Sequence, residues 1–220
     1  MEKIKAVLFD MDGVLLDTES VCEVCWERAA EEIGLSGIHA IFMQCVGRNK
    51  SDTERLLEKY LPQEGAAVKF RNRTGELFEV VEREKGLKKM PFVLECLEFL
   101  KNAGFRLAVA SSTRALKVHP QLKNAGIFDY FETLTTGDMV VHSKPDPEIY
   151  QKAAASLGLG PEECVAVEDS PNGVRSATAA GIKCIMVPDL IAPDEEMKEK
   201  AWKICGNLRE TAEFLISLLK

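Results

Sequence analysis

Residues 4–20 read Ile-Lys-Ala-Val-Leu-Phe-Asp-Met-Asp-Gly-Val-Leu-Leu-Asp-Thr-Glu-Ser, and this stretch decides the fold. The run up to Phe9 is short, β-branched and aromatic, which predicts a buried strand. Asp10, Asp12 and Asp17 follow directly on that strand. In an open α/β sheet, ligands bind at the carboxyl ends of the strands. We therefore expect a ligand site where this strand ends.

The chemistry of that site follows from its charge. Closely spaced carboxylates at the end of a buried strand need a cation or a proton to compensate them. Asp10, Asp12 and Gly13 therefore indicate a Mg²⁺-assisted phosphoryl-transfer site. The alternative for this motif alone is an acidic turn with Gly13 at positive φ.

Three further signals lie downstream, each next to a predicted strand or helix. Ser111 follows the strand at 106–110, where its hydroxyl can bind a phosphoryl oxygen or cap a helix. Lys144 lies between Ser143 and Pro145 before a helix, and its charge can face a carboxylate and a phosphate or only solvent. Glu168 and Asp169 end the strand at 164–167, and adjacent acids at this position indicate metal ligands.

The rest of the chain explains how these signals meet. From residue 92 onward short apolar strands alternate with helices, which predicts an α/β fold with a doubly wound, Rossmann-like parallel sheet. Residues 18–87 break the alternation with helical patterns and almost no strand signal. We predict that they form an inserted, all-helical cap domain, and that residues 1–17 and 88–220 form the catalytic core.

Composition narrows the class of function. The net charge of −7 argues against a nucleic-acid partner, because that affinity depends on Lys and Arg neutralising phosphates. There is no long apolar run and no signal-peptide pattern, so we expect a cytoplasmic protein without a membrane partner. We also expect a monomer. The seven scattered cysteines fit reduced thiols. Cys22 and Cys25 have a metal-type spacing but no second pair, which favours packing on one helix face.

Taken together, the four signals resemble in order and spacing those of the haloacid dehalogenase-like (HAD) hydrolase superfamily. The chain is similar to the β-phosphoglucomutase and phosphatase branch, in which a helical cap follows the first motif. The resemblance covers residues 4–188. It implies an enzyme, a phosphatase that hydrolyses a small phosphorylated metabolite (a sugar phosphate or a nucleotide-like monophosphate) through an aspartyl-phosphate intermediate. A phosphomutase of the β-phosphoglucomutase type and a catalytically idle phosphometabolite-binding protein are the alternatives.

The resemblance also implies roles for single residues. Asp10 is expected to be the nucleophile, and Asp12 the general acid and base. Mg²⁺ is the implied cofactor, with Asp10 and Asp169 as carboxylate ligands. Asp12 contributes its backbone carbonyl to the metal, and Glu168 contributes directly or through water.

Around the phosphoryl group, Ser111 is expected to bind oxygens and Lys144 to offset developing charge. Ser112, Thr113 and Arg114 occupy positions where relatives contact substrate, although helix capping and solvation are alternatives.

In the cap, we expect Arg48 to contact the non-reacting end of the substrate. The alternative is that Arg48 is a surface arginine without a role in binding. The chain also departs from the family pattern. Mutases carry a histidine where this chain has Cys22, which favours water as the final phosphoryl acceptor. Relatives often have Pro-Gly after the cap, whereas this chain has Pro91-Phe92, so we expect a different return turn there.

Overall fold

The computed structural model of the protein describes residues 4–46 and 50–219. Six strands form one parallel sheet in the order β3-β2-β1-β4-β5-β6. The strands are β1 (Ala6–Phe9), β2 (Arg106–Ser111), β3 (Thr133–Thr136), β4 (Cys164–Glu168), β5 (Lys183–Met186) and β6 (Lys203–Ile204). The parallel Rossmann-like sheet that the sequence predicts is confirmed.

The described helices follow the chain order. They are α1 (Glu19–Ile33), α2 (Ile38–Cys45), α3 (Lys50–Glu58), α4 (Ala66–Lys85), α5 (Val93–Asn102), α6 (Ala115–Asn124), α7 (Glu148–Ser156), α8 (Pro171–Ala179), α9 (Glu195–Lys200) and α10 (Leu208–Ser217). None of these has the length and apolar composition that a membrane-spanning helix requires.

The first strand is the centre of the sheet. All four residues of β1 are completely buried, and Phe9 pairs in register with Val109 on one side and with Val167 on the other. The carboxyl ends of β1, β2 and β4 therefore lie side by side. The residues that follow Phe9, Ala110 and Val167 share one edge of the sheet as a result.

The strand order reverses at β1, which places a topological switch point between β1 and β4. The chain passes outward from β1 to β2 and β3, then returns to β4 on the other side. Since parallel crossovers are right-handed, the helices before and after this return cover opposite faces of the sheet. One face packs the buried residues of α7 and α8, including Tyr150 and Val174, against Leu8, Ala110 and Ala166. Switch points are where open α/β sheets bind ligands.

The chain divides into two compact units. One contains the residues up to Leu16 and those from Lys89 onward, which carry the sheet, and the other is Asp17–Lys88. Taken by itself, the second unit holds α1 to α4. Trp26 is at its centre, with edge-to-face contacts to Phe42 and Phe70 whose ring centroids are 5.4 Å apart in each case. Such aromatic pairs stabilise beyond the area they bury.

Some elements differ from those that the sequence predicts. Helix α2 and strand β6 have no counterpart in the sequence prediction. The sequence pattern at 130–135 favours a strand that starts at Tyr130, whereas β3 begins at Thr133. Tyr130 instead ends a short 3₁₀ turn, Phe128–Tyr130. None of the seven cysteines, which all lie within the described residues, forms a disulfide bond, and Cys25 is buried on α1.

Candidate active site

The site begins with Asp10, the residue directly after β1. Its carboxylate is buried, and Lys144 Nζ donates to Asp10 Oδ1 at 2.6 Å. The same ammonium donates to Glu168 Oε1 at 2.6 Å and to the carbonyl of Ala110 at 3.0 Å. Lys144 therefore joins the ends of β1, β2 and β4, although it lies in a loop far along the chain.

The loop that carries Lys144 is fastened to α7. Glu148 Oε2 accepts the backbone N–H groups of Val141 and His142 at 2.9 Å each. Lys152, one turn along the helix, pairs with Glu148 Oε1 at 2.7 Å and donates to the Met139 carbonyl. These bonds fix the backbone just before Lys144, so the lysine enters the buried site in a defined orientation.

Three carboxylates form a group that could hold a metal ion. One oxygen each from Asp10, Glu168 and Asp169 lies within 4.8 Å of the others, and all three residues are buried. Carboxylate oxygens are the donors that Mg²⁺ takes in proteins. The chemistry of this donor set fits the magnesium site that the sequence predicts.

Two glycines allow these acids to approach the backbone. A Cβ on Gly13 would lie 2.4 Å from Asp169 Oδ2, and Gly13 also has a φ of 75°. A Cβ on Gly173, in the first turn of α8, would lie about 2 Å from the Glu168 carboxylate oxygens. Neither position has space for a side chain while the acids keep their places.

Asp12 faces hydroxyl groups rather than the lysine. Thr113 Oγ1 donates to Asp12 Oδ2 at 2.8 Å, and Ser111 Oγ donates to the same oxygen at 3.3 Å. Ser111 Oγ also accepts the Thr113 N–H at 3.0 Å. Asp12 is half-buried, so its carboxylate lies nearer to solvent than that of Asp10.

Burial and charge set the ionisation of this site. Burial raises the pKa of Asp10 to about 8; Lys144 opposes this rise, and the charges of Glu168 and Asp12 add to it. Burial also disfavours the charge on Lys144, but Asp10 and Glu168 outweigh burial and hold its pKa above the usual value. A carboxylate with a raised pKa gains from a nearby cation. The charges therefore favour cation binding beside Asp10.

Tyr150 is a site residue that the sequence analysis missed. Its side chain is completely buried on α7, and its hydroxyl donates to Glu168 Oε1 at 2.7 Å. Lys144 Nζ lies 5.1 Å from the centre of its ring. Burial, followed by the charge of Glu168, raises the pKa of the Tyr150 hydroxyl. The sequence signal was a tyrosine in an otherwise apolar helix face, since a buried hydroxyl needs a partner.

The predicted substrate-binding residues differ in their exposure to solvent and in whether the structure describes them. Ser112 and Arg114 are exposed, next to the half-buried Thr113. Arg48 lies outside the described residues. Two further arginines form ion pairs within the unit Asp17–Lys88: Arg71 pairs with Glu54 at 2.6 Å and Arg73 with Glu32 at 2.7 Å.

Comparisons with known proteins identify the family of the chain. The family described as haloacid dehalogenase-like hydrolase matches residues 4–181. A phosphorylated carbohydrates phosphatase of Thermotoga maritima is 36% identical over 182 residues, which are 83% of this chain and 84% of that relative. A beta-phosphoglucomutase of Bacillus subtilis is 30% identical over 196 residues, 84% of this chain and 83% of the relative.

A solved structure gives the same result for the fold. It is a mutant of CbbY from Rhodobacter sphaeroides in complex with xylulose-(1,5)bisphosphate, with a TM-score of 0.73 and 26% identity. The match covers 94% of this chain and 96% of that one.

The sheet, the acids at its switch point and these matches define one class of protein. The chain belongs to the haloacid dehalogenase-like hydrolase family. It is an enzyme of this family, and the sequence prediction of a phosphatase-type hydrolase is confirmed at that level.

Proposed function

We propose that the protein is a Mg²⁺-dependent phosphatase of small phosphorylated metabolites, with sugar phosphates as its substrate class. The observation that carries the proposal is the placement of Asp10. Its buried carboxylate lies 2.6 Å from Lys144 Nζ, in one group with Glu168 and Asp169. Nothing in the packing of the core requires these charges, and burying them carries a cost in free energy.

In the first half-reaction, Asp10 is the nucleophile. An oxygen of Asp10 forms a bond to phosphorus as the bond from phosphorus to the ester oxygen breaks. Asp12 gives its proton to the departing oxygen, which leaves as a neutral alcohol. Lys144 holds the Asp10 carboxylate in place and offsets negative charge that develops around the phosphoryl group.

In the second half-reaction, water releases the phosphate. Asp12, now a carboxylate, takes a proton from a water molecule whose oxygen attacks phosphorus. The bond between phosphorus and the Asp10 oxygen breaks, so inorganic phosphate leaves and Asp10 is restored. One residue thus serves as acid and then as base, which requires it to face the reacting oxygens in both steps.

Asp10, Asp169 and Glu168 would hold the magnesium ion, together with the backbone carbonyl of Asp12. When bound, Mg²⁺ screens the negative charges of the nucleophile and the phosphoryl group from one another. The raised pKa of Asp10 supports this assignment, because a cation beside the carboxylate favours its charged form.

Relatives support the substrate class. One is named as a phosphatase of phosphorylated carbohydrates, and the CbbY structure contains a sugar bisphosphate. Ser112 and Arg114 are exposed at the same edge of the sheet as Asp10 and could contact a substrate. Arg48 remains our proposed cap residue for substrate recognition.

The test is phosphate release from a panel of phosphorylated metabolites, with Mg²⁺ and with EDTA. We expect turnover of sugar phosphates only with Mg²⁺. Asp10→Asn should lose turnover while remaining folded, and its mass should be checked for deamidation. Brief reaction and acid quenching should place the added phosphoryl mass on the wild-type peptide that contains Asp10. Turnover by intact Asp10→Asn would contradict the nucleophile assignment.

A phosphomutase is the second candidate, because one relative is named beta-phosphoglucomutase. Incubation with β-glucose 1-phosphate and a trace of glucose 1,6-bisphosphate separates the two. We expect free phosphate, since Cys22 stands where mutases carry a histidine and a thiol transfers protons poorly near neutral pH. Formation of glucose 6-phosphate without free phosphate would favour the mutase.

A further inference from the structure

The two hydroxyl groups beside Asp12 contact the same oxygen of its carboxylate. Thr113 Oγ1 lies 2.8 Å from Asp12 Oδ2, and Ser111 Oγ lies 3.3 Å from it. Each carboxylate oxygen has two lone pairs. The two hydroxyls therefore occupy Oδ2, with the Thr113 hydrogen bond the shorter of the two.

The other oxygen of Asp12 is left for the reaction. Within residues 4–46 and 50–219, Asp12 Oδ1 accepts no hydrogen bond. A proton carried by the Asp12 carboxyl group is then favoured on Oδ1, since a proton on Oδ2 would displace one of the hydroxyl donors. The hydrogen bonds from Thr113 and Ser111 to Oδ2 therefore leave Oδ1 as the more accessible oxygen for proton exchange.

The loop that carries Thr113 is itself fixed by the neighbouring strand. Gly137, just after β3, donates its N–H to the Thr113 carbonyl at 2.9 Å. A Cβ on Gly137 would lie 1.9 Å from the Ser112 carbonyl oxygen, so the close approach requires glycine. Asp138 Oδ1 accepts the Ala115 N–H at 2.8 Å, which caps α6 from another element. The backbone of Thr113 and the start of α6 that follows it are therefore both hydrogen-bonded to the segment after β3.

We infer that Thr113 is a positioning residue that holds Asp12 Oδ2, so that Oδ1 exchanges the proton with the leaving oxygen and then with water. The inference deepens the proposed function and rests on it. It differs from the expectation that Thr113 contacts the substrate, because the hydroxyl is already engaged by Asp12.

The inference predicts a difference between two substrates that a general distortion of the site would not produce. An alkyl phosphate needs its leaving oxygen protonated, whereas p-nitrophenolate leaves without a proton. Loss of the Thr113 hydroxyl should therefore slow phosphorylation by an alkyl phosphate much more than phosphorylation by p-nitrophenyl phosphate. Substrate affinity should change little for either compound.

The experiment compares Thr113→Val, Thr113→Ala and Thr113→Ser with wild type. The probes are p-nitrophenyl phosphate and the sugar phosphate that wild type hydrolyses fastest, both with saturating Mg²⁺. Rapid quenching measures the rate of phosphorylation, and steady-state assays give kcat and KM. Thr211→Val is the matched control, since the buried Thr211 hydroxyl on α10 donates to the carbonyl of Asn207, just before that helix, and also contacts Cys205 rather than any residue of the candidate site.

We expect Thr113→Val and Thr113→Ala to slow phosphorylation by the sugar phosphate about tenfold or more. The burst with p-nitrophenyl phosphate and both KM values should stay within about twofold. Thr113→Ser should restore most of the rate, because it returns the hydroxyl, and Thr211→Val should match wild type.

Three outcomes overturn the inference: a raised KM with unchanged kcat, equal losses with both probes, or no loss. The first would make Thr113 a substrate contact. Wild-type enzyme that hydrolyses no phosphate ester would instead contradict the proposed function, and that result requires no variant. The two failures are therefore distinguishable.

Discussion

Lys144 and Glu168 form a buried ion pair, with Nζ 2.6 Å from Oε1 and side-chain exposures of 8% and 0%. Removing two charges from water is costly, and their attraction repays that cost only with good geometry and further hydrogen bonds. Here the Tyr150 hydroxyl donates a further hydrogen bond to Glu168, and Lys144 donates one to a second carboxylate, that of Asp10. The arrangement is therefore sensitive to the loss of either partner.

Lys144→Met should lower the free energy of unfolding by about 3 kcal/mol, because it leaves the buried carboxylates of Glu168 and Asp10 without their cation. Urea denaturation in EDTA at neutral pH measures the loss. Lys144→Met combined with Glu168→Gln should be more stable than Lys144→Met alone, since the second change removes one of the two uncompensated carboxylates. Both variants should be inactive. If Lys144→Met is as stable as wild type, the ion pair is not held as the structure indicates.

Gly13→Ala should abolish Mg²⁺ binding and activity, because its Cβ would meet Asp169 Oδ2 at 2.4 Å. Gly158→Ala is the matched control: Gly158 has a similar φ of 66° but nothing within 4 Å of its Cβ position. Both variants should lose about 1 kcal/mol through left-handed strain, measured by urea denaturation in EDTA. Only Gly13→Ala should lose the stabilisation of the fold by Mg²⁺. Equal activity in the two variants would contradict the packing of Asp169 on Gly13.

Much of this site could be predicted from the sequence, because its parts follow apolar strands. Asp10, Ser111 and Asp169 each lie where a buried run ends, and parallel pairing brings such ends together. The residues around Lys144 left a site role and a solvated lysine both open, and only the resemblance favoured the site role, since a lysine in a loop carries no periodicity. Its partners come from the long-range fold, which brings it to Glu168 and Asp10.

The parts that the sequence analysis missed have physical reasons. Strand β6 has two residues, too few for an alternating pattern to emerge. Helix α2 has only eight residues, and although Ile38, Ile41, Phe42 and Cys45 are buried at helical spacing, so short a pattern does not separate a helix from another apolar segment. The bond between Thr113 and Asp12 depends on side-chain orientation, which a strand-to-helix turn does not specify.

Glu148 should make the free energy of unfolding depend on pH. Hydrogen bonding and the charge of Lys152, together with the N–H groups of His142 and Val141, lower the pKa of Glu148 to about 2. The folded state thus favours the charged form. The stability this contributes is present above the unfolded pKa, near 4.5, and is lost as the pH falls through about 2.

Glu148→Gln should therefore be less stable than wild type at pH 7, and the difference should shrink as the pH falls below about 4.5. Urea denaturation at a series of pH values measures this. Glu199→Gln, an exposed glutamate on α9, is the control and should stay within about 0.5 kcal/mol of wild type. A difference between Glu148→Gln and wild type that does not vary with pH would contradict the charged interaction.

Phe92 adopts the left-handed conformation that glycine favours, with a φ of 65°, where the resemblance predicted a different return turn. Its ring lies 4.2 Å from the Arg209 guanidinium carbon, and Arg209 also pairs with Glu95 at 2.9 Å. For an L-residue this conformation costs about 1–2 kcal/mol. A cation–π contact at an exposed site stabilises the folded state by about 0.5–1 kcal/mol. The backbone strain is thus offset only in part.

Phe92→Ala should be less stable than wild type, because it keeps the strain and loses the ring contact. Phe92→Gly loses the same contact but relieves the strain, so it should exceed Phe92→Ala by about 0.5–1 kcal/mol after the greater entropy of unfolded glycine is counted. Arg209→Ala should cost more in wild type than in Phe92→Gly, since its aromatic partner is absent from the latter. Urea denaturation of the single variants and of Phe92→Gly combined with Arg209→Ala gives the free energies of unfolding for a double-mutant cycle. If Phe92→Ala equals or exceeds Phe92→Gly in stability, residue 92 does not hold a left-handed conformation in solution.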